Sequence, residues 1–171
     1  MWYAEIMNSA EETSALVIEE TLKPRGNFRK VDERLYVIKQ GTTYVMINIV
    51  PWGGDRALVR CSAQLVKGVR MEDRLCKELL HLNSLLRFGA FAYDPTDKLI
   101  LFIHSILGGA TLDSDELIAT LTDVALVADD YDDRIVKQYG GQTMRDLLEE
   151  EALNRVLEAD PEKFVFGTAQ A

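Results

Sequence analysis

Between Phe28 and Val66 the spacing of apolar residues changes to a period of two, and this stretch most restricts the possible fold. Side chains two apart share a face only in an extended strand. The alternation predicts strands at about Leu35–Lys39, Thr42–Val50 and Arg56–Val66, with a short strand near Phe28–Val31. Gly41 marks the first tight turn, and Pro51, Gly53, Gly54 and Asp55 mark the next. Links this short join antiparallel neighbours, because parallel strands need a long crossover.

Helical spacing flanks this meander. Trp2–Leu22 reads as a helix, with Ile6, Ala10, Val17 and Thr21 near one face. Glu5, Glu11, Glu12, Glu19 and Glu20 fall largely on its other faces, and Pro24 and Gly26 stop it. Met71–Arg87 carries a stripe of Met71, Leu75, Leu79, Leu82 and Leu86. A hairpin follows, Phe88–Asp94 and Leu99–Leu107, joined by Pro95–Lys98. Its second strand is apolar on both faces, which predicts cover on both. Asp113 or Ser114 caps the next helix, whose stripe is Leu117, Leu121, Val124, Ala128, Tyr131 and Ile135. Gly140 and Gly141 end it. Thr143 is placed to cap a last helix over 142–159, and the tail 162–171 is expected to fray. The order defines an α+β fold. A twisted antiparallel sheet, built from a three-strand meander plus a hairpin, is flanked by helices in one domain over 1–171.

The chain of 171 residues has a net charge of −9, which makes nucleic acid and anionic membrane poor partners. No apolar run approaches the roughly 20 residues of a membrane span. Two unpaired-looking cysteines, Cys61 and Cys76, fit a reducing compartment, so a cytoplasmic location is expected.

No catalytic constellation assembles. Cys61, Cys76, His81 and His104 lack metal-ligand spacing, so neither metal nor cofactor is expected. Cys76 and His81 point roughly 140° apart on a helix. Cys61 alternates in phase with the core. His104 reads as a hydrogen-bonded packing residue, because no nucleophile and orienting group accompany it. The pairs Gly53–Gly54, Gly108–Gly109 and Gly140–Gly141 match no phosphate loop and read as turns and caps. Asp129, Asp130, Asp132 and Asp133 crowd one helix around Tyr131, with Arg134 and Lys137 near enough to offset them. Such a cluster reads as a solvated helix face, with a partner surface as the alternative.

The meander's second face is more informative. One phase is core: Val45, Ile47, Ile49, Val59, Cys61, Ala63 and Leu65. The other phase is predicted to hold Tyr36, Ile38, Tyr44, Met46, Val50, Leu58 and Val66, mixed with Arg34, Asn48, Arg60, Ser62 and Gln64. A freely solvated face is more uniformly polar. A helix of this chain, a second subunit or a bound segment is expected to cover it, and Tyr36, Ile38, Tyr44, Met46 and Val50 are its candidate contact residues.

The stretches LLHLNSLLRFGAFAYD (79–94), LILFIHSI (99–106) and VALVADDYDDRIVKQYGG (124–141) resemble the YbjN family, bacterial proteins grouped with type III secretion chaperones of the CesT type. The resemblance implies helices flanking a twisted antiparallel sheet. It also implies an acidic, dimeric protein that binds peptide segments or other proteins and catalyses nothing. Against that plan the last helix is an addition, placed where it could cover a client groove. The alternative is a regulatory or sensory protein acting through the surface of helix 112–139.

Overall fold

The structure, a computed structural model, describes residues 6–159. Its helices are α1 (Ser9–Leu22), α2 (Asp73–Leu85), α3 (Ser114–Tyr139) and α4 (Met144–Ala159). Its strands are β1 (Phe28–Lys30), β2 (Leu35–Gln40), β3 (Thr43–Pro51), β4 (Ala57–Lys67), β5 (Ala90–Asp94), β6 (Leu99–Leu107) and β7 (Gln142–Thr143). Trp2–Glu5 and the tail 162–171 lie outside the described residues. All strand pairs are antiparallel, in the order β1-β2-β3-β4-β6-β5, with β7 added to the end of β4. The α+β architecture is therefore the one the alternation required.

Local chemistry sets the helix starts. Asn8 accepts the Glu11 N–H at 2.8 Å, and the Glu11 carboxylate accepts the Asn8 N–H at 2.8 Å. This reciprocal cap satisfies two otherwise unpaired donors. Asp113 caps α3 by accepting from Asp115 and Glu116, and Thr143 caps α4 by accepting from Asp146.

α1 and α3 cover one sheet face. Ile18 and Leu22 of α1 and Leu117, Leu121, Val124, Ala125 and Ala128 of α3 are buried with Val45, Ile47, Val59, Cys61, Ala63 and Phe102. α2 closes the β5 side with Leu75 and Leu79. There Phe91 meets Phe102 and Tyr131 edge-on, at centroid distances of 5.3 and 5.2 Å. Asn83 of α2 completes the closure: it donates to Phe91 O at 3.2 Å and accepts from Phe91 N at 2.7 Å. One side chain thus occupies both backbone groups where a further strand would pair.

Four expectations change. First, Tyr36 and Ile38 are core residues, 0% and 2% exposed. The two-residue Gly41–Thr42 turn pairs Gln40 with Thr43, so even positions of β2 share a face with odd positions of β3: Tyr36 lies opposite Ile47 and Ile38 opposite Val45. Second, Val66 is buried because the register slips between Gln64 and Val66 and turns it toward the core with Ile100. Third, β6 is covered along its length on one side and only at Leu99 on the other. Ile100, Phe102 and Ile106 are buried, whereas Leu101 and Ile103 are partly exposed and Leu107 is exposed. Fourth, the buried stripe of α1 is Glu11, Ser14, Ile18 and Leu22, and Ile6 precedes the helix in solvent.

Glu11 tolerates burial because the Arg34 guanidinium donates to it at 2.7 Å. Ser14 accepts the Gly109 N–H at 2.7 Å, docking α1 on the turn after β6. A Cβ at Gly108 would sit 2.6 Å from the Ser14 Oγ. The Gly108–Gly109 pair is therefore a close approach between elements.

Candidate functional site

Residues directly opposite in a sheet project to the same side, so the register defines the face away from α1 and α3. One row across it runs Arg29, Val37, Met46, Ser62, Ile103 and Ala90. A second runs Leu35, Asn48, Arg60 and Ser105, and a third Val50, Leu58 and Leu107. Lys39 lies opposite Tyr44, while Gln64, Leu101 and Ala92 complete the other end.

Burial in β3 alternates between buried Val45, Ile47 and Ile49 and partly exposed Met46, Asn48 and Val50. Tyr44 is 39% exposed and Leu107 50%. Of the five candidate contact residues, Tyr44, Met46 and Val50 lie on this face, and Tyr36 and Ile38 do not. The face gains Val37, Leu101, Ile103 and Leu107. The sequence signal for the last three was the two-sided apolarity of β6. α4 meets the sheet at β4 and β7, and none of its described residues is buried.

Tyr36 instead fills the core. Its hydroxyl donates to Glu19 at 2.9 Å, and burial together with that carboxylate pushes its pKa up. Cys61 is fully buried, and burial pushes its thiol up to about 12. It stays protonated and is no nucleophile. His104, opposite Cys61, stacks on Phe88 at 5.4 Å. Burial lowers its pKa against the opposing pull of Asp123 and Glu116. Its Nδ1 has no hydrogen-bond partner among the described residues, so the hydrogen bond expected of a packing histidine is missing there. Among the described residues no three His, Cys, Asp or Glu side chains come together to hold a metal.

Three of the four clustered aspartates are engaged within the chain. Asp129 accepts from the Thr42 hydroxyl at 2.6 Å, and Asp133 pairs with Arg145 at 3.3 Å. Asp132 accepts the Asp133 N–H at 2.6 Å. Burial raises its pKa, with the neighbouring carboxylates adding to the rise. Arg134 stacks 4.6 Å over the Tyr131 ring. No described helix is long and apolar enough to cross a membrane.

An open antiparallel sheet with α1 and α3 on one face, and a broad mixed surface on the other, defines a binding scaffold. The chain belongs to the TY-Chap1 family, described as T3SS (YopN, CesT) and YbjN peptide-binding chaperone 1, whose model matches residues 12–147. No curated protein matches the sequence.

Proposed function

We propose that this chain is a non-catalytic, chaperone-like module that holds an extended protein or peptide segment against the sheet face opposite α1 and α3. The partly exposed Met46, Val50, Leu58, Leu101 and Ile103 on that face carry the reading. These apolar side chains flank the polar Arg60, Ser62 and Gln64 of β4, and exposed apolar surface bordered by polar residues is characteristic of contact sites. The longest row spans six strands, roughly 24 Å at strand spacing, which suits polypeptide better than a small ligand. Covering two of the larger side chains contributes about 3–6 kcal/mol, and Met46 and Tyr44 suit adaptable contacts. A homodimer working in the cytoplasm is part of this reading, in keeping with the family and the cysteine usage.

Tyr44→Asp and Met46→Asp, made separately, test it. Each is expected to stay folded by circular dichroism while losing client capture or self-association, read by pull-down and light scattering. If both keep full association, the face is not the binding surface. A regulatory role through α3 has its own support. Exposed Leu126 and Phe88 flank a recess of about 290 Å³ that Asp123 and Asp130 line. Leu126→Asp distinguishes the two readings.

A further inference from the structure

The sheet face opposite α1 and α3 has the opposite sign from the molecule. The chain carries −9 overall, yet the rows of this face from Arg29 to Ala92 hold Arg29, Lys39 and Arg60 and no carboxylate, and the last row, Lys67, Leu99 and Asp94, holds one charge of each sign. Arg29, Lys39 and Arg60 are all exposed. None is ion-paired among the described residues. Lys39 lies 5.7 Å from the Tyr44 ring centroid, and Arg60 reaches Ser105 at 3.5 Å. The next carboxylate beyond the Ala92 row is Asp94, and it is turned to its own hairpin, accepting from Thr96 at 2.8 Å. Five cations elsewhere in the described residues are ion-paired: Lys30 with Glu19, Arg34 with Glu11, Lys77 with Asp73, Arg145 with Asp133 and Arg155 with Glu151.

Resting on the proposed peptide-binding face, we infer that its occupant is an acidic, apolar polypeptide segment, whose carboxylates meet Arg29, Lys39 and Arg60 while its apolar side chains cover Met46 and Ile103. Such placement is the local inverse of what net charge alone selects. A protein at −9 attracts basic peptides over distance, whereas contacts on this face select acidic ones. At physiological salt the screening length is about 8 Å, so the local cations dominate once the segment is seated.

Three labelled peptides sharing one leucine and phenylalanine pattern, flanked by Glu, Gln or Lys, measure this by fluorescence anisotropy against the full chain. Affinity is expected to fall in the order Glu, Gln, Lys. The Glu and Lys peptides should differ on the order of tenfold, the scale of three exposed ion pairs. Arg29→Glu with Arg60→Glu is expected to reverse the order, and high salt to compress it. Equal binding of all three, still lost in Met46→Asp, overturns the charge inference and leaves the apolar face standing. Preference for the Lys peptide overturns it also. Binding absent throughout, or indifferent to Met46→Asp, overturns the face itself. If the charge-reversed variant changes sedimentation but not peptide affinity, the face belongs to a second copy and the inference fails.

Discussion

At the scale of single residues, burial decides chemistry. Cys61 and Cys76 carry the same thiol, but the first is sealed in the core and the second partly exposed. A thiol-specific chromogenic reagent is expected to label one thiol per native chain and two in urea. Rapid labelling of both in the native state would contradict the placement of Cys61. Its burial was legible, because Cys61 alternates in phase with Val59 and Ala63. The fate of Tyr36 was not. Alternation within one strand assigns two faces without saying which one joins the next strand's core side. That information resides in the two-residue turn at Gly41–Thr42, where one residue more or fewer exchanges the faces of β2. Glu11 was missed for a related reason: a glutamate reads as solvent until Arg34, distant in sequence, is placed beside it.

At the scale of elements, long periodic segments were read well and short ones less so. The stripes of α2 and α3 lie as their spacing requires, with Leu79 6% and Leu121 1% exposed. Leu79→Ala and Leu121→Ala are each expected to cost about 2–5 kcal/mol in denaturant melts. A loss below about 0.5 kcal/mol would mean that the helix turns another face inward. The two-residue β7 left no periodic trace, since its place depends on the exposed end of β4. Nor could alternation show that the second side of β6 is covered only at Leu99, because apolarity reports a preference for burial and not what supplies it. The Asn83 bridge to β5 is likewise a tertiary fact. Removing it in Asn83→Ala leaves the Phe91 N–H and carbonyl unpaired by protein. The expected effects are about 1–3 kcal/mol of destabilisation and faster hydrogen exchange at the Phe91 amide. Unchanged exchange at that amide would show that the bridge contributes nothing.

At the scale of the molecule, an excess of carboxylates makes acid the informative perturbation. Burial raises the Glu11 pKa, but the Arg34 hydrogen bond, the Asn8 N–H and the Arg34 charge outweigh it and hold the carboxyl below its ordinary 4.5. Hydrogen bonds from Lys30 and Tyr36 lower Glu19, and those from Thr143 lower Asp146. A carboxylate depressed by folding contributes stability that is full above its unfolded value and lost as pH falls through its folded value. Asp132, raised by burial, opposes this trend in part. Urea midpoints are therefore expected to fall as pH drops below about 4.5, and Glu11→Gln to lower the neutral midpoint and flatten the fall. A midpoint that holds level from pH 5 to 3 would contradict the assignment. The same bridge at Asn83 also sets how copies of the molecule can join. A sheet with two available margins can grow without end, each arrival offering a new margin to the next. Here the β5 margin is blocked at its centre, and β1 offers the other. Two copies that meet through β1 consume both open margins at once, so growth by strand pairing terminates at the pair and cannot propagate into a fibre.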